Sequence, residues 1–125
     1  MLFITNYLAP FALNLLATSM IYVGILFISS QFLPSLLEII YSNTNALTRT
    51  VIATITLIAP SNMIIGFVYK NFPASVAGIT NIIAVVLILT IIAILIDNIK
   101  INITIIISLI MAIFACAFLL YNLSK

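Results

Sequence analysis

Four long apolar runs separated by short polar breaks organise this chain of 125 residues. The longest opens at Phe72 with a proline turn and small residues, and from Val76 to Ile96 it carries no charged side chain. At about 1.5 Å of rise per residue that stretch makes a rod of roughly 31 Å, the thickness of a hydrocarbon core. Comparable runs lie at about 7–30, 50–69 and 101–121. The pattern predicts an all-α integral membrane protein, a single membrane domain over 1–125 with four transmembrane helices. Between the first two runs, Gln31, Ser35, Glu38, Ser42 and Asn45 recur every three or four residues while Phe32, Leu33, Leu36, Leu37, Ile39 and Ile40 fill the other side. That periodicity predicts an extra amphipathic segment at the interface over about 31–45, or a prolongation of the first helix to Tyr41. In both cases Glu38 sits nearer the headgroups than the midplane and reads as a solvated carboxylate.

Polar residues inside the runs carry the next layer of information, because a hydrogen-bonding side chain in hydrocarbon needs a partner. In the first run Asn14, Thr18, Tyr22 and Ser29 form one stripe, which serves either to bond neighbouring helices or to touch a transported ligand. Pro10 falls in its first turn, where a missing N–H is tolerated. The second run is interrupted halfway by Pro60, Ser61 and Asn62, so a midplane kink with an opened turn is expected. Broken helices at this depth bind substrates in transporters, and prolines also occur in spans without that role. The short turn at 70–74, closed by Pro73, makes the second and third spans antiparallel neighbours. Ala74, Ala77, Gly78, Asn81 and Ala84 offer a small face for close helix contact on the third span, and Ser108, Ala112 and Ala115 offer one on the fourth.

Composition sharpens the class. Hydrophobic residues make up 66% of the chain and charged residues 5%, with a mean hydropathy of +1.45; soluble proteins are about a quarter charged. The net charge of +2 is scattered, with no basic run to follow a nucleic-acid backbone, so nucleic acid is not an expected partner. Without histidine, and with a single cysteine in an apolar run, no metal site, cofactor or disulfide framework is expected; Cys116 reads as a small packing residue. The start MLFITNYLAP lacks a basic leader, and the first run is expected to remain in the mature protein. Lys70, Lys125 and the terminal amine fall on one side, Arg49 and Lys100 on the other. The cation bias is therefore only a weak vote for cytoplasmic termini. No nucleophile, base or phosphate-binding glycine loop stands out, so catalytic residues are not expected and the chain does not read as an enzyme.

From Asn62 to Ser124 the chain resembles the small multidrug resistance branch of the drug/metabolite transporter superfamily. The likeness rests on the tyrosine-ended second span, the stretch YKNFPASVAG from Tyr69 to Gly78, and the uninterrupted third span. A short polar loop over 97–100 and a final span ending in LLYNLSK complete it. Drug exporters of that family carry a glutamate in the first span, whereas the corresponding place here is near Asn14 and no acidic residue lies between Met1 and Gln31. The resemblance is therefore closest to the four-span subunits that flip undecaprenyl-phosphate aminoarabinose. It implies a small transporter or lipid-linked sugar flippase subunit acting as a dimer in the bacterial inner membrane. Substrate would pass along Asn14, Thr18, Ser61, Asn62 and Asn81, with Lys70 as a headgroup anchor or phosphate contact. The alternative is a non-catalytic accessory subunit of a larger membrane complex. The expected partners are membrane lipid and either a second copy, a paired small subunit or that complex.

Overall fold

The computed structural model describes residues 4–29 and 42–123. Every regular element among them is helical, and four helices are long and apolar enough to cross a bilayer. Helix α1 begins as a π turn, Ile4–Leu8, and continues as Ala9–Ile28. Helix α2 covers Ala46–Asn71, α3 covers Ala74–Leu95 and α4 covers Ile103–Leu123. The chain is a multi-pass membrane protein. Most of the expected amphipathic segment, including Glu38, lies outside the described residues.

Helix ends fall where local chemistry puts them. Asn45 is extended and its Oδ1 accepts from the Thr48 N–H at 2.8 Å, capping α2. Asn102 caps α4 in the same way, accepting from the Ile105 N–H at 2.9 Å. Between α2 and α3, Phe72 is extended ahead of Pro73, as the proline ring requires, and the Pro73 carbonyl accepts from the Ala77 N–H at 2.9 Å to start α3. After α3, Asn98 takes φ 53, a left-handed conformation that asparagine tolerates, and the Ile99 N–H reaches back to the Ala93 carbonyl at 3.2 Å.

The helices pack with α1 at the centre. It makes extensive contact with both α2 and α3, which touch each other only sparsely, and α4 rests on α3. The 70–74 turn joins α2 to α3, yet the two helices touch each other only sparsely and each packs mainly on α1. Small side chains explain that position: Ala17 and Gly24 on α1 and Ala77 and Ala84 on α3 are buried, letting backbones approach. Gly24 lies against α2 so closely that a Cβ there would come within 3.2 Å of Ile58 Cγ1. At the other side of α3, Val76, Ile79 and Leu120 form an apolar cluster on which Tyr7, Ile83 and Cys116 pack, so Cys116 is a packing residue on α4.

Two expectations about faces are corrected. The buried small face of α3 is completed by Thr80, while Asn81 is half-buried and Ala74 exposed. On α4, Ser108 and Ala115 are exposed; the contact with α3 runs through Cys116 and Leu120, because bulky Val76 and Ile79 call for complementary apolar side chains. Pro60 is accommodated by a wider turn. The π turn Thr54–Ile58 directly precedes it, with the Ala59 N–H reaching the Thr54 carbonyl five residues back. Such a turn leaves room for the proline ring, which would otherwise strike the carbonyl four residues earlier. Pro10 has the same arrangement after Ile4–Leu8.

Candidate functional site

Several polar residues of the spans come together where α1 packs on its neighbours. Asn14 is fully buried between α1 and α3, where its Nδ2 donates to the Ala77 carbonyl at 3.0 Å and to Thr80 Oγ1 at 2.9 Å. The Thr80 hydroxyl in turn donates toward its own helix, lying 2.7 Å from the Val76 carbonyl and 3.2 Å from that of Ala77. Because the Ala77 carbonyl can only accept, the amide nitrogen must be the atom facing it. This leaves Asn14 Oδ1 buried and without a hydrogen-bond partner among the described residues. Thr18, one turn further along α1, is buried, and Ser61 is fully buried on α2 with its hydroxyl donating to the Ile58 carbonyl at 2.6 Å.

Asn62 and Asn81 differ in kind. Asn62 is exposed, Asn81 is half-buried, and neither side chain has a hydrogen-bond partner among the described residues. Asn71 and Asn122 solve the same problem by turning Nδ2 back onto the carbonyls of Phe67 and Phe118, at 2.8 Å and 2.9 Å. Asn62 makes no such bond; the corresponding carbonyl, that of Ile58, accepts from Ser61. Their directions follow from the helical turn of about 100° per residue, which sets Asn62 about 20° from Tyr69 around α2 and Asn81 about 60° from Gly78 around α3. Gly78 and Tyr69 face one another, a Cβ on the glycine lying 3.5 Å from Tyr69 Oη. Asn62 therefore shares the side of α2 from which Tyr69 reaches Gly78, and Asn81 lies between Gly78 and the α1-facing Ala77, which is about 40° away. The two asparagines are also level, about 15 Å and about 14 Å along their helices from Phe72.

The ends of the bundle are chemically distinct from this layer. Lys70 is exposed in the last turn of α2. Tyr7, Tyr69 and Tyr121 lie at the same end, the position of an aromatic belt. Between α1 and α4 an open groove of about 390 Å³ runs over α3, lined by Leu8, Phe11, Ile83, Ile113, Ala117 and Leu120 together with Tyr7, Thr80 and Tyr121. At the far end the Arg49 guanidinium donates to the Thr44 carbonyl at 2.8 Å. Among the described residues no cluster of three or more His, Cys, Asp or Glu side chains is assembled.

These features define an all-helical, multi-pass membrane protein with a layer of uncharged hydrogen-bonding groups inside its spans. No protein-family model, curated protein or solved structure matches the chain. Of the residues singled out by sequence, Asn14, Thr18 and Ser61 are buried, and Asn62 and Asn81 stand level on α2 and α3, exposed and half-buried. Lys70 stands apart at the membrane edge. Thr80 was missed, and its spacing of three and four from Ala77 and Ala84 was the signal that would have found it.

Proposed function

We propose that this chain is a small membrane transporter or lipid-linked sugar flippase subunit, similar to the small multidrug resistance type, which works as a dimer in the bacterial inner membrane. The observation that carries the reading is a set of uncharged polar side chains inside the spans, two of them carboxamides without a hydrogen-bond partner among the described residues and three of them buried. Asn62 and Asn81 would supply hydrogen bonds at a depth where acyl chains supply none, which is what a polar headgroup crossing the bilayer needs, and Asn14, Thr18 and Ser61, buried in one copy, would join that pathway only as the helices part. The apolar groove between α1 and α4 suits a lipid tail, and Lys70 at the edge suits a headgroup phosphate. A neutral layer favours a hydroxyl-rich headgroup over a cationic drug.

The test is reconstitution into vesicles with a headgroup-labelled polyprenyl-phosphate sugar. Translocation well above that of protein-free vesicles is expected; a rate equal to theirs refutes transport. A second reading, the accessory subunit, is favoured by α4, of whose most apolar stretch only 6% is buried, against 28% for α1. A larger protein could cover that helix, and purification in mild detergent with stoichiometric co-elution of a large membrane enzyme would establish it.

A further inference from the structure

Asn62 and Asn81 leave a specific demand unmet. Each carboxamide brings two N–H donors and a carbonyl acceptor into hydrocarbon, and lipid tails satisfy neither. Asn14, Asn71 and Asn122 all place their amide N–H groups on partners within the chain. Asn62 and Asn81 do not, and both stand well inside the membrane, Asn62 about 20 Å along the helix from Arg49 and about 12 Å from Lys70.

We infer that the face of α2 and α3 carrying Asn62 and Asn81 is the contact surface for a second copy of this chain, held by reciprocal hydrogen bonds between Asn62 of each protomer and Asn81 of its partner. The group that satisfies a carboxamide in both senses is another carboxamide. A two-fold axis along the membrane normal preserves depth, and within one protomer the two asparagines are already level. Such an axis therefore brings Asn62 opposite Asn81 twice over, as an isologous interface requires. An axis lying in the membrane plane does not. Asn81 is about 5 Å from the middle of α3, so inverting one copy would separate the two layers by about 10 Å. The protomers accordingly share one orientation.

The surroundings fit a close helix contact. Around α2, Ala59 and Gly66 both lie on one side of Asn62, about 60° and 40° away, and nothing lies within 4 Å of a Cβ built on Gly66. The charged side chains at the ends of these helices, Arg49 and Lys70, lie at the membrane edges, so the surface within the membrane is uncharged and suits an identical uncharged surface.

This inference rests on the dimer assumed in the proposed function and specifies its surface. It is tested with the full chain in vesicles, following self-association by energy transfer between labelled copies as the protein is diluted into lipid. Asn62→Leu and Asn81→Leu are each expected to weaken association about tenfold, and the double variant little further, because either change removes the same pairs. Asn62→Gln should retain most of it. In a Cys116→Ser background, a copy carrying Asn62→Cys should form a disulfide with a differently tagged copy carrying Asn81→Cys, and reporters at the termini should lie on one side of the membrane. Equal association of wild type and leucine variants would overturn the assignment, as would a monomeric wild type at high protein density, additive losses in the double variant, or copies of opposite orientation. A monomer that still moves lipid refutes the interface and leaves transport standing. A dimer with these pairs and no flux refutes transport and leaves the interface.

Discussion

Replacing Asn14 separates the contribution of its hydrogen bonds from the penalty of its orphan oxygen. In Asn14→Leu, the bonds from Nδ2 to the Ala77 carbonyl and to Thr80 Oγ1 disappear. Hydrogen bonds between membrane helices average about 0.6 kcal/mol and reach about 1.7, so the loss is about 1–3 kcal/mol. Neither partner is stranded, since the Thr80 hydroxyl keeps the Val76 carbonyl and the Ala77 carbonyl keeps the Thr80 hydroxyl nearby. Against the loss stands Oδ1, buried without a partner, whose removal returns about 1–3 kcal/mol of desolvation. A leucine of similar shape should therefore fall within about 1 kcal/mol of wild type. Asn14→Ala suffers the same loss and opens a cavity among buried Ala17, Ala77 and Thr80, for about 2 kcal/mol more. Asn14→Asp places a carboxylate against the Ala77 carbonyl and costs about 3 kcal/mol from membrane burial alone.

The expected order of stability is thus wild type close to leucine, then alanine, then aspartate. Unfolding by sodium dodecyl sulfate from mixed micelles, followed by far-ultraviolet circular dichroism, measures it. A leucine variant destabilised by more than about 3 kcal/mol would mean that Oδ1 has a partner and that the network is fully satisfied. Alanine equal to leucine would mean that the site is loosely packed.

Two of the three helical glycines should respond oppositely. Gly24→Val drives a branched side chain into Ile58 and Leu57 and is expected to cost about 1–3 kcal/mol in the same titration, while Gly66→Val, with open space around it, should leave monomer stability within about 0.5 kcal/mol. Equal effects would refute the close approach of α1 to the π turn. In Pro60→Ala the restored N–H can bond a carbonyl of the preceding turn, so hydrogen exchange around residues 55–60 should slow markedly; unchanged exchange would show that the proline does not hold the widened turn in place.

The spans were legible because bilayer thickness imposes a length on any apolar run, and the described helices Ala74–Leu95 and Ile103–Leu123 lie within a few residues of the expected limits. Their arrangement was not. A tight turn at Pro73 identifies α2 and α3 as consecutive antiparallel rods, yet which helix fills the space between them depends on where small side chains coincide, and Ala17 and Gly24 drew no attention beside the more polar Asn14 and Thr18. The same bias hid Thr80: Asn81 is the more polar neighbour, but one residue is a rotation of about 100° on a helix, enough to exchange a buried face for a half-open one. Pro60 revealed a disturbance and not its form, because a π turn and an opened kink both relieve the clash of the ring.

Placing small and polar residues on α1 has a consequence for what a single copy can do. The hydrogen-bonding groups that pack α1, Asn14 and Ser61 among them, are spent on holding neighbours or closing local turns, and so contribute to cohesion first. The groups free to act on anything else are the carboxamides of Asn62 and Asn81. One copy leaves both without a hydrogen-bond partner among the described residues, which is unfavourable in lipid, and leaves α4 almost bare. The carboxamides are relieved only by further protein or by a polar solute, whereas the apolar α4 is compatible with lipid. On the proposed reading, the polar chemistry of the spans is completed at an interface. A variant that keeps α1 packed and loses Asn62 and Asn81 together should insert, fold and span as wild type does while failing wherever that interface is required; loss of insertion in that variant would place the two asparagines in the folding of the monomer instead.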